Sequence, residues 1–109
     1  MARADSRRGI QRERDFRKRL EADGWFVVRA AGSLGDADLI ACRPGEVRLI
    51  EIKSTTAGPF SGFGPADRAA LSAAAKVAGG TAWLVWWPKR KEPVWIAERE
   101  WPGMRKGVT

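Results

Sequence analysis

Two short apolar runs around a single turn constrain this chain more than any other feature. Asp38–Cys42 and Val47–Lys53 flank Arg43-Pro44-Gly45-Glu46, a segment with the composition of a hairpin turn. With Arg43–Glu46 as the turn, Cys42 faces Val47, Ile40 faces Leu49 and Asp38 faces Glu51. Directly opposed side chains of an antiparallel pair stand about 4.5–5.5 Å apart at Cβ. Two carboxylates at that separation repel, and an isolated pair destabilises the sheet. A divalent cation between them reverses the sign, and hard oxygen ligands of this kind suit Mg²⁺ or Mn²⁺. Period two puts Lys53 on the face of Glu51. There an ammonium orients or helps deprotonate an attacking water, or stabilises charge on a phosphate. Reading these residues as ordinary strand-end charges leaves Glu51 and Lys53 unexplained, because they interrupt an apolar strand with no turn nearby. A bulge or an odd-length turn would break this register.

What the chain lacks narrows the chemistry further. Its 109 residues contain no His, no Tyr and one cysteine, Cys42. A chain of this length is read as one domain, residues 1–109, with one core. Without His there is no imidazole general base, no His–metal site and no Ser-His-Asp triad. Without Tyr there is no phosphotyrosyl intermediate. One cysteine gives neither a zinc cluster nor an intrachain disulfide. Catalysis is left to carboxylates, Lys, Ser/Thr or an oxygen-bound metal. No run approaches the ~18 apolar residues that span a bilayer, and Met1–Asp5 lacks the apolar core of a signal peptide. The expectation is an intracellular protein with no membrane partner.

Along the chain, Met1–Gly9 reads as a flexible basic arm and Ile10–Asp23 as a helix stopped by Gly24. Trp25–Ala31 is a strand and Gly32–Asp36 a turn-rich link. Ser54–Gly64, rich in Gly, Ser, Thr and Pro, reads as a mobile loop. Pro65 opens a second helix that runs to Gly79-Gly80. Thr81–Trp87 and Val94–Ala97 are two further strands, and the tail from Glu98 is unassigned. The order α-β-β-β-α-β-β describes an α/β fold, a mixed central sheet flanked by helices.

The net charge of +7 is concentrated. Residues 1–19 hold eight basic side chains, among them Arg7, Arg8, Arg12 and Arg14, against three acids. Lys89-Arg90-Lys91 forms a second cluster. Concentrated charge favours phosphate-contacting strips over a merely solvated surface, and so a nucleic-acid partner. Glu13 is anomalous, because it lies inside the helical stripe of Ile10, Phe16 and Leu20. An ion pair with Arg17 at i+4 and a place in the metal site explain it equally well. By the hairpin arithmetic Asp36 faces Lys53, but its glycine-rich setting favours a turn. Ser33 is either turn chemistry or a phosphate donor. Trp86 and Trp87 are neighbours on a strand and must face opposite sides. One is core; the other needs a second partner, either a subunit interface or DNA, or it stays partly exposed.

These residues resemble the archaeal-type Holliday junction resolvases (Hjc), within the PD-(D/E)XK nuclease superfamily. The similarity is carried by Gly9-Ile10-Gln11-Arg12-Glu13-Arg14, Val27-Val28-Arg29-Ala30-Ala31-Gly32-Ser33, Asp38-Leu39-Ile40-Ala41, Ile50-Glu51-Ile52-Lys53, and Gly79-Gly80 before the Trp83–Trp87 strand. Ala37 stands where the superfamily motif often has Pro. The resemblance implies a restriction-endonuclease-like fold. It also implies a homodimer that resolves four-way DNA junctions by paired nicks, with Mg²⁺ (Mn²⁺ substituting), leaving a 5′-phosphate and a 3′-hydroxyl. It places Asp38, Glu51, Glu13 and the Ile52 backbone carbonyl at the metal, Lys53 at the water or phosphate, and Ser33 in the active-site turn. The residues expected to contact DNA are Arg7, Arg8, Arg12, Arg14, Arg29, Ser33, Lys89 and Arg90. The rival readings are a related nuclease acting on other branched DNA and a non-catalytic basic DNA-binding module.

Overall fold

The first helix, α1, spans Arg3–Ala22 and buries Phe16 and Leu20. The computed structural model describes residues 3–30 and 37–103, and for residues 3–8 the backbone alone. Residues 3–9, read from sequence as an arm, therefore begin the helix, which starts well before Ile10. That stretch carries charges but no apolar stripe, so periodicity alone did not reveal it. The helix closes with the Trp25 amide donating to the Leu20 carbonyl at 3.1 Å.

Five strands follow: β1 (Phe26–Arg29), β2 (Leu39–Arg43), β3 (Glu46–Lys53), β4 (Thr81–Trp86) and β5 (Val94–Ala97). They form one sheet in the order β1-β2-β3-β4-β5. All neighbours are antiparallel except β3 and β4, which run parallel. A parallel pair needs a long crossover, and helix α2 (Pro65–Ala78) supplies it. A 3-10 turn, Glu98–Glu100, follows β5. The mixed sheet and element order expected from sequence are those observed.

The hairpin register is also as expected, with Cys42 opposite Val47 and Ile40 opposite Leu49. Arg43 pairs with Glu46 across Pro44-Gly45. Gly45 turns the chain at φ 77°, a backbone that glycine takes without steric cost.

Strand alternation divides the core in two. On one face Ile50, Ile52 and Val85 pack with Phe16 and Leu20 of α1, together with Trp25 and Trp87. On the other, Leu49 and Leu84 pack with Leu71 and Ala75 of α2, together with Phe63 and Trp101. This two-layer cover accommodates the tryptophans. Trp25, Trp87 and Trp101 are buried, and Trp83 and Trp95 pack partly buried against the α1-side core. The Arg48 guanidinium lies 4.5 Å from the Trp83 ring centroid and 4.9 Å from that of Trp95. Trp86, which needed a second partner, finds one in this chain. Its indole N–H donates to the Thr55 carbonyl at 2.7 Å.

Candidate active site

Alternation along β3 places Glu51 and Lys53 together, as period two requires. The Lys53 ammonium stands 3.4 Å from a Glu51 carboxylate oxygen. Asp38 arrives from the neighbouring strand, but not by simple extension of the hairpin. Regular pairing ends at Leu39 opposite Ile50. The Asp38 amide then donates to the Ile50 carbonyl at 2.8 Å, one residue short of the register that would join it to Glu51. The expected direct opposition of Asp38 and Glu51 is therefore replaced by a one-residue slip, of the kind that re-aims a side chain at the end of a ladder. The Asp38 carboxylate fills the gap by accepting the Ile52 N–H at 2.8 Å.

The two acids still share a field. Burial pushes the Asp38 carboxyl up to about 6, with the charge of Glu13 adding to the rise and the Ile52 N–H bond opposing it. Burial likewise pushes Glu51 up to about 7, reinforced by the charge of Asp38 and opposed by Lys53. Two half-buried carboxylates, one of which raises the other's pKa, form a donor set that a hard divalent cation satisfies. The pair therefore fits the expected ion.

Glu13 is placed differently. Its carboxylate accepts from the Arg29 guanidinium at 2.9 Å. The Arg17 partner offered by helix spacing is instead paired with Glu21 at 3.0 Å. Among the described residues no three Asp, Glu, His or Cys side chains gather closely enough to hold an ion together. Glu13 thus lies within electrostatic reach of Asp38 but does not join Asp38 and Glu51 in one cluster. Its true partner follows only once β1 is placed against α1. Val27 of β1 faces α1, so Arg29, two residues on, faces the same helix.

An open cleft of about 950 Å³ adjoins Lys53 and Ile52. Lys89 and Arg90 line it from the β4–β5 turn, and Arg12 lines it from α1. Arg12 also has a structural task. Its guanidinium stacks on Trp87 at 4.1 Å and donates to the Pro88 carbonyl at 3.1 Å. Arg14 is exposed on α1. Ser54, Thr55, Thr56 and Ser61 also line the cleft, so sequence reasoning that saw only a loop missed its hydroxyl wall. The clue lay in that loop's four Ser and Thr directly after the Glu-x-Lys strand. Ser33 and Asp36, and the side chains of Arg7 and Arg8, lie outside the described residues. Within the described residues no helix is long and apolar enough to cross a membrane.

Residues 4–102 match the sequence profile of the family described as archaeal Holliday junction resolvase. The chain belongs to that family. A crossover junction endodeoxyribonuclease Hjc of Methanocaldococcus jannaschii is 44% identical over 54 residues, which are 50% of this chain and 40% of that protein. A UPF0102 protein of Granulibacter bethesdensis is 36% identical over 74 residues, 64% of this chain and 47% of its own. The matched stretches thus span less than half the length of these two relatives. The fold matches that of Archaeoglobus fulgidus Hjc, a Holliday junction resolvase, with a TM-score of 0.75 and 22% identity. That match covers 84% of this chain and 78% of the other. The sheet and flanking helices described above are therefore the resolvase fold, which is restriction-endonuclease-like.

Proposed function

We propose that this chain is a divalent-metal-dependent endonuclease that incises four-way DNA junctions. The observation that carries the reading is the half-buried Asp38–Glu51 pair with Lys53 at 3.4 Å from Glu51. It is supported by membership of the resolvase family and by the basic cleft alongside.

Asp38, Glu51 and the Ile52 backbone carbonyl are the groups that would hold Mg²⁺, with Mn²⁺ as a substitute. When bound, the ion supplies Lewis acidity toward a phosphoryl oxygen and a more acidic water. The remaining work falls to the chain. The Ile52 N–H bond fixes the Asp38 carboxylate in one orientation. Lys53 is positioned to donate to a non-bridging oxygen of the scissile phosphate, or to orient the water that attacks it. Attack of that water at phosphorus breaks the P–O3′ bond and leaves a 5′-phosphate and a 3′-hydroxyl. Glu13 holds Arg29 at the end of β1, where the guanidinium can meet a backbone phosphate. The family resemblance gives Ser33 a role beside the reacting phosphate. Opposed nicks in two strands need two sites related by a two-fold axis, which a homodimer provides.

The test is cleavage of a labelled four-way junction with and without Mg²⁺, by the wild type and by Glu51→Gln. The expected result is metal-dependent paired incision by the wild type. Glu51→Gln should lose incision and keep junction binding in a mobility shift. Incision by Glu51→Gln, or by the wild type in chelator, would overturn the reading.

A further inference from the structure

We propose that the cleft beside Lys53 is a sugar-phosphate track for the strand that continues past the scissile phosphate, with Arg90 as its anchor. The inference rests on the nuclease reading above and adds a site to it. The cleft shares Lys53 and Ile52 with the carboxylate pair, but neither Asp38 nor Glu51 lines it. A phosphate held there is therefore a neighbour of the one that reacts.

The wall chemistry selects a polyanion. Among the described residues, Arg12, Lys53, Lys89 and Arg90 supply four cations to its lining against a single acid, Asp15. That carboxylate accepts a hydrogen bond from Gln11 at 2.9 Å. Hydroxyl residues, Ser54 through Thr56 and Ser61, share the lining. Among the described residues no aromatic ring lines the cleft, so they offer no platform on which a base can stack. Cations and hydroxyls without a stacking surface contact phosphate and sugar, and they carry little sequence information.

Arg90 stands out because its backbone is costly. It adopts φ 63° and is the only described non-glycine residue with positive φ. It sits at the third position of the turn Pro88–Lys91, which the Lys91 amide closes on the Pro88 carbonyl at 3.2 Å. Glycine or asparagine takes that position at lower cost. A long cationic residue there is explained by what its side chain does in the cleft. The turn is also firmly mounted. Arg12 binds the Pro88 carbonyl, and the Trp87 indole donates to the Lys91 carbonyl at 2.8 Å. Arg90 is thus presented from a fixed support.

Fluorescence anisotropy of a labelled four-way junction, in chelator and across a salt series, tests the track. Arg90→Gly and Arg90→Asn both suit a left-handed backbone and should melt at or above the wild-type temperature. Both should bind the junction about tenfold more weakly, with a slope of log affinity against log salt shallower by about 0.9, the loss of one phosphate contact. The loss should be equal on junctions of unrelated sequence. Wild-type affinity and salt slope in both variants would overturn the track, and so would a loss confined to one sequence. Failure of the wild type to bind or incise any branched DNA would instead overturn the nuclease reading beneath it.

Discussion

The carboxylate of Asp38 accepts the backbone N–H of Ile52 at 2.8 Å, taking the place of a strand carbonyl where the β2–β3 register slips. Asp38 is therefore structural as well as catalytic in this reading, and the two tasks separate by substitution. Asp38→Asn keeps an oxygen acceptor for Ile52. Asp38→Ala leaves that amide without a partner, at a cost of about 1–3 kcal/mol. Both variants should lose cleavage. In urea denaturation Asp38→Ala should be clearly less stable than Asp38→Asn, and equal stabilities would show that the bond does not support the sheet.

Metal-free stability should depend on pH through the same pair. Asp38 and Glu51 titrate near 6 and 7 in the folded chain, mainly because of burial. In the unfolded chain both titrate near about 4. Below that pH both states are protonated and the pair carries no penalty. Between about 4 and 7 the unfolded chain releases protons that the folded chain keeps, so stability falls as pH rises. Wild-type protein in chelator should therefore lose several degrees of melting temperature between pH 5 and pH 8 relative to Glu51→Gln. Mg²⁺ or Mn²⁺ should restore the wild type at pH 8 and change it little at pH 5. Parallel pH profiles for the two proteins would contradict this.

The paired register of the hairpin was legible because alternation and turn length are local properties. Cys42 opposite Val47 and Glu51 beside Lys53 follow from them directly. The slip at Asp38 was not legible, since it depends on a side chain replacing a backbone acceptor on another strand. Glu13 shows the same limit. Helix spacing offered Arg17, but the sheet brings Arg29 to it from a residue sixteen positions away. Long arginines also escape any periodicity argument. Arg12 and Arg48 lie against tryptophan rings that only the folded sheet brings to them.

Arg12 and Lys89 should behave differently, although both line the same cleft. Arg12 is half-buried, stacks on Trp87 and binds the Pro88 carbonyl. A cation–π contact of this kind contributes about 0.5–2 kcal/mol. Arg12→Ala should lower the melting temperature by several degrees as well as weaken junction binding. Lys89 is exposed. Lys89→Ala should leave the melting temperature within a degree or so of wild type, as exposed substitutions of this kind do, while weakening binding. Equal melting temperatures for the two variants would show that Arg12 contributes to binding alone.

The Gly79-Gly80 pair joins α2 to β4, and the two glycines are needed for different reasons. Gly79 caps the helix in a left-handed conformation, φ 73°, with its amide donating to the Lys76 carbonyl at 3.1 Å. Alanine there costs about 1–2 kcal/mol of backbone strain. Gly80 is constrained by space, because a Cβ would strike the Val47 carbonyl and lie 2.9 Å from the Val47 Cβ. Those are atoms of β3, next to the start of β4, and the backbone cannot yield without disturbing the parallel β3–β4 pairing that carries Glu51 and Lys53. Gly80→Ala should cost about 1–3 kcal/mol by overpacking. Asn at position 79 should recover part of the Gly79→Ala loss, since it tolerates left-handed backbone. Asn at position 80 should be no better than alanine. Denaturation of the four single variants decides between the two causes, and rescue of position 80 by Asn would show that its constraint is conformational and not steric.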